Sequence, residues 1–356
     1  MKKKRLASFL SCEGQKLTDA EKRLFEKFIP VGVTLFSRNI NNIEQMKKLV
    51  REIKEISGDD TLIAVDQEGG RVRRLKEPDF MSYAAQSQIG SLPLNKALKM
   101  AKLHARLISN DLKKLGIDIN FAPVLDIMRE DTTDALRSRC FSDDGKRVAR
   151  LGKISVDEYI KSGIIPCIKH MPGHGRAVCD PHLGLPIIND SLENLMNDFM
   201  PFRECNYAPM GMTAHILLKG LGYNYPITQC VIGIKDIIRG IIGFDGFLIS
   251  DAIDMNALQG DVVERAKLAL SAGCDSVCYC MGKIDEMSYL SENCPQLSDE
   301  ALLRLDKAKQ ILHNKCVIND AKDKELYSLM CCQISAYDEK YDATEVLHKM
   351  QRKSQC

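Results

Sequence analysis

Eight short apolar segments, each followed by a polar turn and a stretch of helical periodicity, predict an α/β fold. They point to a single-domain (β/α)8 TIM-type barrel over residues 1–310 with a C-terminal helical extension over 311–356 packed on it. The segments end repeatedly in charged residues or histidines, which such a barrel gathers on one face. The chain has 356 residues, of which 45% are hydrophobic, enough for one large domain. Its 50 basic and 48 acidic residues leave a formal charge of +2, and no long basic run follows Lys2-Lys3-Lys4-Arg5, so nucleic acid is excluded as a partner. No run approaches the roughly 18 apolar residues of a membrane span.

The elements follow in order. Residues 6–11 are the first candidate strand; residues 1–13 imitate a lipoprotein signal, but their apolar part is shorter than the roughly 7–15 residues of an h-region, so a buried strand is the simpler reading. The other strands are 32–36, 62–66, 118–122, 164–169, 209–214, 246–250 and 275–280. Helices run between them: 18–28 opens on the capping-box pattern Thr18-Asp19-Ala20-Glu21, and 43–56 carries apolar residues at helical spacing. After Leu302 the pattern is wholly helical and charged. Fourteen cysteines are scattered mostly through apolar stretches, as buried free thiols of a reducing, cytoplasmic compartment would be. Cys331, Cys332 and Cys356 look like oxidation liabilities.

Chemistry concentrates in Lys169-His170-Met171-Pro172-Gly173-His174-Gly175, followed by Asp180-Pro181-His182. A cation, three imidazoles and a carboxylate stand on a glycine-bent loop at the end of an apolar strand, a common mounting for an active site. In Asp180-x-His182 the carboxylate fixes the imidazole's tautomer and raises its basicity, which makes an acid/base. The length and glycines of this loop also suit movement. Cys167, His170, His174, Cys179 and His182 fit neither common zinc spacing, and the glycines oppose a helix, so no metal is expected.

Val65-Asp66-Gln67-Glu68-Gly69-Gly70-Arg71-Val72-x-Arg74, Asn120-Phe121-Ala122-Pro123-Val124-Leu125-Asp126, Arg139-x-Phe141, the 169–182 loop, Met212-Thr213-Ala214-His215 and Ser250-Asp251 stand in the order and spacing of family 3 glycoside hydrolases. The chain resembles the single-domain bacterial β-N-acetylhexosaminidases of that family, whose Asp-x-His pair its β-glucosidases lack. The resemblance implies a retaining enzyme with Asp251 as nucleophile, His182 as acid/base and Asp180 orienting it. It further implies that Asp66, Arg74, Arg139, Lys169 and His170 clamp the sugar. The implied substrate is a non-reducing terminal β-linked N-acetylglucosamine, typically on N-acetyl-anhydromuramyl peptides released from peptidoglycan. Carbohydrate or muropeptide is the expected partner, the chain is expected to act as a monomer, and no cofactor is implied. The absence of tryptophan favours a pocket for one terminal sugar over a long cleft.

Duller roles stand beside these. His174 is expected to hold the loop's backbone, Glu68 and Arg71 to brace the Gly69-Gly70 turn, and His215 to line or support the pocket. Asp126 is as well suited to supporting a loop as to touching ligand. On composition alone Asp251 could equally cap a helix starting near 256–258; the motif decides for the nucleophile. Three departures are visible. Ser250-Asp251-Ala252-Ile253-Asp254-Met255 replaces the usual Ser-Asp-Asp-Leu-Ser-Met and bears on the nucleophile's basicity or positioning. Cys140 and Arg176 bear on preference beyond the first sugar. A phosphorylase, a hexosaminidase assisted by the substrate's acetamido group and a silent sugar-binding barrel are the competing functions.

Overall fold

A computed structural model of the chain describes residues 5–314 and 320–335. Its strands are β1 (Leu6–Ser11), β2 (Pro30–Leu35), β3 (Leu62–Val65), β4 (Ile119–Asn120), β5 (Ile165–Met171), β6 (Ile187–Ile188), β7 (Met210–Thr213), β8 (Leu217–Leu218), β9 (Phe247–Ala252) and β10 (Ser276–Cys278). Eight of them close the barrel in the order β1-β2-β3-β4-β5-β7-β9-β10, every neighbouring pair parallel. All residues of β1, β2, β3, β5 and β9 are buried, which explains why they read as continuous apolar runs: a parallel strand is covered on both faces.

Each predicted strand corresponds to one barrel strand, with shifted ends. The 118–122 segment pairs only over Ile119–Asn120, because the chain turns away before Pro123. In contrast, β5 and β9 run on through Lys169-His170 and Asp251, so these polar residues are held by strand backbone and not by loops. The pair β6–β8, a separate parallel ribbon of two residues each, has no counterpart in the sequence reading.

Between strands the chain forms the helices Asp19–Lys27, Ile43–Ser57, Leu94–Lys114, Gly145–Lys161, Leu192–Glu204, Val262–Ala272, Ile284–Asn293 and Asp299–Lys309, and a π-helical stretch at Gly233–Ile241. The expected capping box forms, with Thr18 and Glu21 exchanging side-chain and backbone hydrogen bonds. Phe9 fills the barrel interior, edge-on to Phe121 with ring centroids 6.2 Å apart. Gly32 lets it in: a Cβ there would lie 2.2 Å from the Phe9 ring.

The helix Asp320–Cys331, within the expected 311–356 extension, lies against Leu94–Lys114. Its buried Tyr327 hydroxyl accepts the Ala84 N–H at 3.0 Å and meets His104 Nδ1 at 2.8 Å. Residues 315–319 and 336–356 of that extension, Cys356 among them, lie outside the described residues. The described cysteines are all free thiols; Cys331 is half-buried and Cys332 exposed. Among the described residues no helix is long and apolar enough to cross a membrane.

Candidate active site

The barrel brings Asp66, Arg74, Arg139, Lys169, His170, Asp180, His182 and Asp251 to the wall of one pocket, with Phe121 beside them. They arrive from separate places: Asp66 and Arg74 after β3, Arg139 on the long connection after β4, Lys169 and His170 within β5, Asp180 and His182 on the loop beyond it, and Asp251 within β9.

On one side a charged lattice is built. Lys169 Nζ lies 2.7 Å from Asp66 Oδ1 and 2.6 Å from Glu68 Oε1. Arg139 donates to both Glu68 oxygens, Nε to Oε2 at 2.9 Å and Nη2 to Oε1 at 2.8 Å, while Arg74 Nη2 donates to Asp66 Oδ2 at 3.2 Å. Burial would raise the Asp66 and Glu68 carboxyls, but the surrounding Lys169, Arg74 and Arg139 charges prevail and hold both below the usual carboxylate range. Three cations face two carboxylates, so donors remain for a sugar's hydroxyls. Glu68 is therefore more than the turn brace expected of it: its backbone N–H holds the turn through Val72 O at 2.9 Å, and its side chain cross-links the lattice. The signal was two carboxylates in Asp66-Gln67-Glu68, but their partners lie far along the chain.

Asp126 does not line the pocket; it supports the loop. Its Oδ2 accepts from His170 Nδ1 at 2.7 Å and its Oδ1 accepts the His174 N–H at 2.7 Å. The His170 tautomer is thereby fixed, leaving Nε2 to face Arg139 Nη2 at 3.3 Å. Gly175 is required here, because a Cβ would come within 1.8 Å of the Ile127 carbonyl oxygen. His174 holds the backbone as expected, yet its ring also lines the pocket, buried, with neither ring nitrogen hydrogen-bonded. Burial lowers that imidazole to about 4, so it is neutral.

Asp180 and His182 form a second cluster in the same pocket wall. His182 Nδ1 is 2.7 Å from Asp180 Oδ1, which also accepts the His182 N–H at 3.0 Å. Its Nε2 is buried without a hydrogen-bond partner, and the residue lines the pocket. Burial pulls the imidazolium down, but the bond to Asp180 and the charges of Asp180, Asp251 and Asp254 prevail and leave it above the ordinary value. Asp251 Oδ1 accepts the Ala252 N–H at 2.8 Å. Burial raises its carboxyl, but the imidazoles of His170, His215 and His182 together with that N–H lower it further, so it is ionised at neutral pH. It caps no helix: the next helix begins at Val262, capped by Asp261. His215 stands behind, its Nε2 donating to Ala252 O at 3.0 Å and its Nδ1 meeting Thr228 Oγ1 at 2.8 Å.

Two of the three departures stand away from the pocket wall. Arg176 pairs with Asp190 at 2.9 Å and Asp198 at 2.8 Å, and Cys140 packs with Val124 and Leu136; neither lines the pocket. Arg71, also in the wall, donates to the Asp134 and Ala135 carbonyls and so ties the turn to the 134–135 segment. Asp254 does line the pocket; its Oδ1 accepts the Cys280 N–H at 2.8 Å and burial raises its carboxyl to about 6. Among the described residues no group of three or more His, Cys, Asp or Glu side chains is placed to hold a metal ion.

A fixed donor lattice, an ionised buried carboxylate and an imidazole with one free nitrogen in a single pocket suit acetal cleavage by displacement at carbon. The glycosyl hydrolase family 3 N-terminal domain matches residues 3–313. A β-hexosaminidase of Chromobacterium violaceum is 34% identical over 302 residues, covering 83% of this chain and 84% of that protein. One from Neisseria gonorrhoeae is 36% identical over 275 residues, 74% of this chain and 75% of that protein. The crystal structure of native NagZ from Neisseria gonorrhoeae matches with a TM-score of 0.83 at 29% identity over 94% of this chain and 99% of that one. Its complex with N-trifluoroacetyl-D-glucosamine matches with a TM-score of 0.82 at 30% identity, over 93% and 99% of the two chains.

Proposed function

This chain belongs to glycosyl hydrolase family 3, and from that premise we propose that it is a retaining exo-β-N-acetylglucosaminidase acting on peptidoglycan fragments. The observation that carries the mechanism is the Asp180–His182 pair, whose free Nε2 lines the same pocket as the ionised Asp251. Asp251 attacks the anomeric carbon while the His182 imidazolium gives its Nε2 proton to the glycosidic oxygen, and the aglycone leaves as an alcohol. The neutral imidazole then takes a proton from water, the water oxygen bonds to the anomeric carbon, and the Asp251 carboxylate is released with the β configuration retained. Asp180 keeps the Nδ1 proton in place throughout and stabilises the imidazolium. A neutral base adds no second negative charge beside the glycosyl ester, which is the physical advantage of histidine over a carboxylate in the second step.

Asp66, Arg74, Arg139, Lys169 and His170 hold the sugar in reactive geometry, and the related β-hexosaminidases and the N-trifluoroacetyl-D-glucosamine complex of NagZ support N-acetylglucosamine as that sugar. The aglycone of this reading is an N-acetyl-anhydromuramyl peptide, and the enzyme works as a cytoplasmic monomer, in keeping with its many buried free thiols. The test is release of p-nitrophenol from the β-N-acetylglucosaminide and the β-glucoside, by wild type and Asp251→Ala, with and without phosphate. Release from the N-acetyl substrate alone, lost in the variant and indifferent to phosphate, is expected. Acceleration with formation of a sugar phosphate would replace this reading by a phosphorylase, and inactivity of the folded wild type on both substrates would reject it.

A further inference from the structure

The acid/base does not stand on the barrel wall. Residues 179–184 form a turn beyond β5, closed on itself by Leu183 and Gly184 N–H groups donating to Asp180 O at 2.8 and 3.2 Å. Apolar Val178 and Leu183 flank the pair and are 68% and 73% exposed, so Pro181 is the one apolar side chain of residues 178–183 that is buried.

What it leans on comes from the nucleophile's strand. Immediately after β9, residues 253–257 form a turn from which Asp254 and Met255 line the pocket. Asn256 Nδ2 donates to the His182 carbonyl at 2.9 Å, and the Ala257 N–H donates to the Pro181 carbonyl at 3.0 Å. This second turn is firmly seated: Ile253 N–H donates to Cys278 O at 2.8 Å, Arg265 Nη1 donates to Ile253 O at 2.9 Å and Met255 O at 3.2 Å, and Asp254 accepts the Cys280 N–H. A seated turn continuous with Asp251 therefore grips a sparsely supported one at the backbone of the acid/base itself.

We propose that residues 253–257 form a latch that sets His182 against the glycosidic oxygen, with Asn256 as its positioning residue; this rests on the acid/base role given to His182 above. Asn256 is exposed and stands outside the sugar clamp, so truncating it leaves ground-state sugar contacts and the nucleophile untouched. Its loss weakens proton donation selectively. Leaving groups that need a proton suffer, and those that depart as stable anions do not.

The experiment compares kcat/KM of wild type, Asn256→Ala and Asn256→Gln on phenyl and 2,4-dinitrophenyl β-N-acetylglucosaminides. The alanine variant is expected to lose about 2- to 10-fold on the phenyl substrate, the span of one hydrogen bond, and under about 2-fold on the dinitrophenyl one. Glutamine, which keeps the donor, should recover part of the loss. Equal losses on both substrates, or no loss on either with an active wild type, overturn the latch while leaving the hydrolase reading in place. An inactive wild type overturns both.

Discussion

Asp66, Glu68, Arg74, Arg139 and Lys169 are bound to one another by ion pairs of 2.6–3.2 Å, and the lattice reaches deeper still: His104 Nε2 donates to Glu68 O at 2.8 Å and its Nδ1 meets Tyr327. Asp180 and His182 share that pocket, but their turn is stitched to the 253–257 turn by single hydrogen bonds at its rim. The half of the site proposed to grip the sugar is preorganised and costly to disturb. The half proposed to move the proton is lightly held, so small changes there should alter chemistry with little effect on binding or stability.

The largest effect should come where the two halves meet. Asp251→Ala removes the proposed nucleophile and should lower kcat by at least about 10⁴-fold, with thermal unfolding little changed. His182→Ala should cost about 10²–10⁴-fold in kcat/KM on the phenyl substrate while leaving the dissociation constant of N-acetylglucosamine, read by calorimetry, within about twofold. Lost binding with an intact chemical step would erase the contrast between the halves.

In the clamp the effect should fall on stability. Glu68→Gln takes from Arg139 its buried carboxylate partner and leaves Lys169 with Asp66 alone, and should destabilise the fold by about 3 kcal/mol in denaturant unfolding, besides weakening sugar binding. The same lattice fixes a pH dependence. The Asp66 and Glu68 carboxyls are lowered by folding, so their contribution is complete above the ordinary carboxylate range and is lost as pH falls through their folded values; stability should therefore decline on the acid side.

The smallest and most discriminating change concerns Asp254, whose carboxylate helps to hold the His182 imidazolium above its ordinary value. Asp254→Asn should move the alkaline limb of the kcat/KM profile to lower pH, because a proton donor of lower pKa is lost sooner as pH rises. Below about 6 the wild-type carboxyl is itself protonated, so the two profiles should converge there. Superimposable limbs would show that Asp254 does not reach the acid/base.

How much of this the sequence could disclose depends on distance along the chain. The barrel was readable because doubly buried parallel strands leave apolar runs, and Asp180-x-His182 because its hydrogen bond spans two residues. Glu68 was read as a turn brace, since its partners Arg139 and Lys169 become neighbours only when the barrel closes. Asn256 reaches His182 across 74 residues, a contact no local spacing announces. The ribbon β6–β8 has two residues per strand, too few to carry a period, and Arg176 sat inside a motif while its side chain turned outward to Asp190 and Asp198.

With Asp251 as nucleophile the sugar passes through an ester on its carboxylate, and that ester can be trapped. A 5-fluoro-N-acetylglucosaminyl fluoride keeps the acetamido group, slows both displacements and speeds the first by its leaving group, so the intermediate accumulates. Mass spectrometry of the intact protein and of its peptic digest should find one added 5-fluoro-N-acetylglucosaminyl group, located on Asp251. Turnover of the reagent with no adduct, or an adduct elsewhere in the pocket, would rule out Asp251 as the nucleophile.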